Sequence, residues 1–189
     1  GKGASLVQMS GMGLDVPPGF VVTTDACILM RDTEVWSKPI TSDFDAALKR
    51  IEAKTGKGFG SLESPLFVSV RAGGEVAMPG VSESVLNLGF NRETALVLTR
   101  QDPWFAWDAY RRFVEGYARV VLNIHTTRLR RAQAQALGHE NFGSADAAEQ
   151  ERLVAVLLEV VSQCGHEIPE DPAVQIRDAV KAVVQSNDN

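Results

Sequence analysis

The sequence predicts an α+β chain, with a small α/β part up to about residue 89 and a mainly helical part over 90–189. Two observations carry the prediction. Two short runs rich in apolar and β-branched residues, Leu66-Phe67-Val68-Ser69-Val70-Arg71 and Ser84-Val85-Leu86-Asn87-Leu88, read as strands. Beyond residue 90 the rhythm changes, and apolar residues recur every three to four positions, the period of a helix with one buried face.

Taken in order, Ala4, Leu6, Val7 and Met9 suit a short helix that Gly11 and Gly13 end. Asp15-Val16-Pro17-Pro18-Gly19 is a rigid turn, because two prolines fix φ and glycine follows. Phe20-Val21-Val22-Thr23 reads as a short strand, and Thr24 as the cap of a helix reaching Met30. Polar and proline signals make 31–41 a loop. Ser42 and Asp45 then resemble a capping box ahead of Phe44, Ala47, Leu48 and Ile51. Gly56, Gly58 and Gly60 form a flexible link. Pro65 introduces the first strand above, and a glycine-rich stretch from Ala72 to Gly80 leads to the second, which ends at Gly89. Four segments of the second part read as helices. They are 104–124, a basic one over 128–137, an apolar one over 146–163, and a last one carrying Val174, Ile176, Val180 and Val183.

Composition bounds the function. Of 189 residues, 44% are hydrophobic and 23% charged, which is ordinary globular usage. A net charge of −5 gives no general attraction to nucleic acid or anionic membrane, although a local cationic pocket remains open to such a chain. No apolar run approaches the roughly 20 residues that span a bilayer. The first residues have no signal-peptide character, and a start without methionine suggests a piece of a longer protein. Cys27 and Cys164 stand far apart in apolar helical patterns and read as reduced core thiols of a cytoplasmic protein.

Three cations stand out as candidate ligand-binding residues. Lys2 lies between two glycines at a helix start, where close backbone approach and free N–H groups favour an anion. The pattern is not a Walker A loop, and an exposed lysine near the terminus is the plainer reading of the pattern alone. Arg71 ends a strand that runs into a glycine-rich loop, a common ligand position, and its guanidinium could grip phosphate with two N–H groups. A solvated strand-end arginine, or one paired with Glu75, suits the pattern equally well. Arg112 lies four residues after Asp108, a spacing that predicts a helical ion pair worth on the order of tenths of a kcal/mol. The Met78-Pro79-Gly80-Val81 loop could fold over a nucleotide or merely turn the chain. His125, His139 and His166 share no metal-ligand spacing and suit surface or cap positions. Ser5 and Ser69 have no nearby histidine in sequence to activate them. Arg128, Arg130 and Arg131 read as a solvated helix face.

Several of these stretches fall in the order of one known pattern. Gly1-Lys2-Gly3-Ala4-Ser5-Leu6, Val16-Pro17-Pro18-Gly19-Phe20 and Thr23-Thr24 resemble the opening of the PEP-utilising dikinases. Four later stretches narrow the resemblance to the pyruvate phosphate dikinase family: Ser69-Val70-Arg71, Met78-Pro79-Gly80 with Leu86-Asn87-Leu88-Gly89, Phe105-Ala106-Trp107-Asp108-Ala109-Tyr110-Arg111-Arg112-Phe113, and the ending from Ile168-Pro169. The resemblance runs over nearly the whole chain. It implies part of an ATP-grasp-like nucleotide-binding region, with Lys2, Arg71, Arg112 and Gly80 at the nucleotide and with Arg71 and Lys2 assisting phosphoryl transfer by neutralising charge. It implies that the complete enzyme converts ATP, phosphate and pyruvate to AMP, pyrophosphate and phosphoenolpyruvate through a phosphohistidine on another domain. It also implies Mg2+ with ATP, and a homodimeric parent.

By the same resemblance, the metal ligands and the phosphohistidine and pyruvate-binding domains are expected outside this chain, which alone should be inactive. The sequence departs from the family pattern in one loop. A hydroxyl residue is replaced by Ala72, another by Ala77, and the usual Met-Asp-Thr becomes Ser82-Glu83-Ser84-Val85. Those departures suit a second reading, a degenerate homologue acting as a binding module. A third is a phosphoenolpyruvate synthase-like piece, which Met78-Pro79-Gly80 and Tyr110-Arg111-Arg112-Phe113 disfavour.

Overall fold

A computed structural model describes residues 2–31, 36–72 and 84–186, apart from the side chains of Lys2 and Arg31. Within them the chain is mostly helical, with two small sheets. In order come helices α1 (Lys2–Gly11), α2 (Thr24–Arg31) and α3 (Lys38–Thr55), then strands β1 (Gly58–Phe59), β2 (Pro65–Leu66), β3 (Val68–Arg71) and β4 (Ser84–Leu88). Helices α4 (Arg92–Leu98), α5 (Pro103–Val120), α6 (Thr126–Leu137), α7 (Ala147–Gln163) and α8 (Pro172–Ser186) follow, with a 3-10 turn at Phe142–Ser144 before α7. The α+β composition is the one predicted.

Several local expectations are corrected. Phe20–Thr23 forms no strand, since no described neighbour offers it a hydrogen-bonding edge. Phe20 instead sets its ring edge-on against Phe44, with centroids 5.2 Å apart. The start of α2 is capped by Thr23 rather than Thr24: Ala26 N donates to Thr23 Oγ1 at 3.3 Å, and Cys27 N to the Thr23 carbonyl at 2.9 Å. α3 begins at Lys38, not at Ser42, because Ser37 takes the extended cap conformation and Pro39 suits the first turn. The glycine link holds a two-residue parallel pairing of β1 with β2. α4 was not anticipated; a reciprocal cap starts it, Thr94 N donating to Asn91 Oδ1 and Asn91 N to Thr94 Oγ1. Asp146 caps α7 as its sequence position suggests, in a capping box with Glu149.

β3 and β4 form an antiparallel hairpin that pairs Val68 with Leu88, Val70 with Val85 and Arg71 with Ser84. The register shifts once, because three steps on β4 face two on β3. The extra residue is absorbed near Asn87, whose φ of 58° lies in the left-handed region that asparagine tolerates better than most residues. Asn87 Nδ2 then donates to the Ala109 carbonyl at 3.1 Å, which ties the bulge to α5. Gly89 follows with φ 103°, and a Cβ there would stand 2.9 Å from the Leu66 carbonyl oxygen, so only glycine fits.

The core lies between the hairpin, α5, α7 and α8. Phe90 stacks between Phe67 and Tyr110, with centroids 4.0 and 5.9 Å away, and Phe113 and Tyr117 continue the aromatic line along α5. Phe113, Tyr117, Leu153 and Leu157 are fully buried. Burying a side chain of this size stabilises by about 1.5–3 kcal/mol. α8 is fastened by Gln175, a buried amide with all its near partners present. Its Nε2 donates to the Phe90 and Pro169 carbonyls, and its Oε1 accepts from Gly89 N. Cys27 and Cys164 are free thiols, half-buried rather than central, and burial pushes the Cys27 thiol pKa up.

Candidate functional site

Alternation along β3 decides where Arg71 points. Val68 and Val70 are half-buried on the core side, whereas Ser69 and Arg71 are exposed. Arg71 is the last residue of the strand and sits opposite Ser84, the first residue of β4. α5 runs antiparallel along β4. Near its middle Ala109 accepts from Asn87. Near its end Arg119 Nη2 reaches the Ser84 carbonyl at 3.5 Å. Gly116 faces β4 here, and a Cβ on it would stand at ordinary contact distance, 4.0 Å, from Leu86 N and the Ser84 carbonyl oxygen.

Arg112 lies one helical turn before Gly116, between these two tie points. It is half-exposed, and it forms an ion pair with Asp108, Nε to Oδ2 2.7 Å. The ion pair read from the i,i+4 spacing is therefore present. Arg71 thus ends the first strand of the hairpin and Arg112 lies on the helix that packs along the second, while Arg119, about two turns beyond Arg112, reaches the hairpin end opposite Arg71. Lys2 opens α1, and a Cβ on the following Gly3 would meet Val21 Cγ1 at 2.8 Å, so α1 starts against the 20–23 segment. The Lys2 side chain and Gly80 lie outside the described residues, as does most of the glycine-rich loop.

The neighbour of Arg112 behaves differently. Arg111 is only 6% exposed, and four side chains surround its guanidinium. Nε donates to Gln150 Oε1 at 2.8 Å, Nη2 to Asp108 Oδ1 at 2.8 Å, and Nη1 to Glu115 Oε2 at 3.0 Å and Gln133 Oε1 at 3.3 Å. The Phe142 ring lies 6.0 Å from its centre. Arg111 therefore joins α5 to α6, α7 and the 3-10 turn. Gln150 is held in turn by donating to the Phe142 carbonyl at 2.6 Å. Both oxygens of the buried Asp108 are engaged, one by each adjacent arginine. Arg111 and Arg119 were not singled out from the sequence, and Asp108 entered only as the ion-pair partner of Arg112. The signal for Arg111 was its spacing, with acids three residues before and four after.

Other titratable groups near the core are tyrosines. Burial first, then the Asp178 carboxylate that accepts from its hydroxyl at 2.9 Å, pushes the Tyr117 pKa well up. Burial, assisted by Glu170 and opposed by Arg92, pushes Tyr110 up to about 12. His125 Nδ1 accepts from Thr127 N at the cap of α6, and His139 Nδ1 accepts from Asn141 N, matching the cap positions read for them. Two open grooves flank α6, of about 440 and 740 Å3, and neither is lined by Arg71 or Arg112.

Among the described residues no group of three or more His, Cys, Asp and Glu side chains could hold a metal ion. The acids nearest Arg112, Asp108 and Glu115, are taken up by arginines. With their oxygens engaged by guanidinium groups, these two carboxylates are not arranged as ligands of a divalent cation. No helix among the described residues is long and apolar enough to cross a membrane.

Comparison with known proteins agrees with the ordered motifs. The chain is 38% identical over 194 residues to pyruvate, phosphate dikinase 2 of Oryza sativa subsp. japonica, an alignment that covers 100% of this chain and 22% of that protein. It is 36% identical over 204 residues to the pyruvate, phosphate dikinase of Clostridium symbiosum, again with 100% of this chain and 22% of the relative covered. The chain belongs to the pyruvate, phosphate dikinase family. The relative from Rhizobium meliloti (strain 1021) is 34% identical over 193 residues, 98% of this chain and 22% of that dikinase. The chain thus spans about a fifth of the length of the curated dikinases it matches. No family model matches it.

Proposed function

We propose that this chain is part of the ATP-grasp-like nucleotide-binding region of a pyruvate, phosphate dikinase, and that Arg71, Arg112 and Lys2 hold the phosphates of ATP. Arg112 carries most of this reading. It is a half-exposed guanidinium paired with a buried carboxylate, on the helix that packs along the hairpin whose first strand ends at Arg71. Guanidinium groups fixed in this way match phosphate oxygens in geometry and charge. Gly80, in the loop between Arg71 and Ser84, would let backbone N–H groups approach the nucleotide.

In phosphoryl transfer these cations position the phosphates and neutralise charge as it develops. The full reaction would convert ATP, phosphate and pyruvate to AMP, pyrophosphate and phosphoenolpyruvate. It would use a phosphohistidine and a pyruvate-binding domain carried elsewhere in the protein. Mg2+ would accompany ATP on ligands other than the described residues. The 189-residue chain alone would then bind ATP weakly and leave it unconverted. Two free cysteines support a reducing compartment such as the cytoplasm.

Calorimetric titration of the full-length gene product with ATP tests the reading. Arg71→Ala and Arg112→Ala should each weaken ATP binding about tenfold or more, the scale of one lost charge-assisted contact. Wild-type affinity in both variants would favour a binding module that has left nucleotide chemistry.

A further inference from the structure

We propose that Asp108 is a positioning residue for the nucleotide, a buried carboxylate that holds the Arg112 guanidinium in an ion pair and so presents it to phosphate. The inference rests on the reading of Arg112 as a phosphate-binding cation. The side chain of Asp108 is 8% exposed, against 52% for Arg112. Its Oδ1 is fixed by Arg111 at 2.8 Å, and Arg111 is fixed in turn by Gln150, Gln133 and Glu115 from three helices. Its Oδ2 pairs with Arg112 Nε at 2.7 Å.

Among the described residues Arg112 has no other ion pair or hydrogen bond. The guanidinium is thus tied at one point to a buried group while half of the side chain stays exposed. An unheld surface arginine must lose much of its rotamer freedom to grip a ligand. Here the three-helix network has already restricted that freedom, so Asp108 would act on affinity through Arg112 and not by touching the nucleotide. The arrangement also gives the two adjacent arginines separate duties, one structural and one facing outward.

A double-mutant cycle in the full-length gene product tests this, with ATP affinity read by calorimetry and folding by thermal melting. Asp108→Asn should weaken ATP binding about tenfold in the wild-type background and not measurably further in Arg112→Ala, because coupled residues are non-additive. An equal loss in both backgrounds, or no loss in the first, overturns the positioning role while leaving the phosphate reading intact. Wild-type affinity in Arg112→Ala overturns the phosphate reading and this inference with it. Should Asp108→Asn fail to fold, Asp108→Glu is carried through the same cycle, because it keeps the charge that pairs with Arg111 while displacing the carboxylate from Arg112. A loss seen with Arg112 present and absent in Arg112→Ala supports positioning, and an equal loss in both backgrounds, or none in the first, overturns it.

Discussion

Helices α1 and α7 are both rich in apolar residues, yet they meet opposite surroundings. α7 buries Leu153 and Leu157 completely and lies along α5, whereas Leu6, Val7 and Met9 of α1 are 45, 64 and 41% exposed. A helical period does not by itself create a core; it needs a second element that presents a matching face. The contrast bears on the site as well. Arg112 stands on the packed body and is held by a buried carboxylate, while Lys2 opens the exposed helix. Two cations proposed for one ligand thus start from very different degrees of preorganisation.

The largest effect should come from the packed body. Leu157→Ala should destabilise the chain by about 4 kcal/mol, the usual cost of a deleted core leucine plus its cavity; a denaturant midpoint close to wild type would show that α7 is not part of the cooperative core. Arg111→Met should follow at about 3 kcal/mol, since it leaves the buried Asp108 and two glutamines short of a donor. That loss should persist in high salt, because buried pairs are screened little.

A pH series sharpens the same half of the comparison. The Tyr110 pKa is raised to about 12 in the folded chain, chiefly by burial. The folded state therefore keeps its phenol proton above pH ~10, where the unfolded chain releases it. The stability this contributes is complete below pH ~10 and is lost as pH rises from there to about 12. Tyr110→Phe should flatten that part of the profile; an unchanged alkaline slope would assign it to other groups. The smallest effect belongs to α1, where Val7→Ser should shift stability by no more than about 0.5 kcal/mol. A large loss there would mean that α1 is covered in solution.

The sequence made the packed half readable because its signals are local and agree with one another. The 146–163 helix has a cap, an acid three residues later and a regular apolar stripe, and the structure reproduces it at Ala147–Gln163. Phe20–Thr23 had strand propensity without a partner, and pairing, not propensity, makes a strand. α4 escaped notice because it has seven residues and Asn91–Thr94 for its cap instead of the commoner Ser or Thr with Glu. At the site, the Asp108–Arg112 pair was legible from its spacing. The burial of Arg111 was not, because Gln133 and Gln150 come from helices 22 and 39 residues further along. No one-dimensional pattern announces such partners.

The most direct measurement is a crystal structure of the full-length gene product with a non-hydrolysable ATP analogue. The account predicts phosphate oxygens within hydrogen-bond reach of Arg71 and of the Nη groups of Arg112, with Asp108 still bound to Arg112 Nε. A nucleotide bound elsewhere, such as in the grooves beside α6, with Arg71 and Arg112 left in solvent, would contradict it.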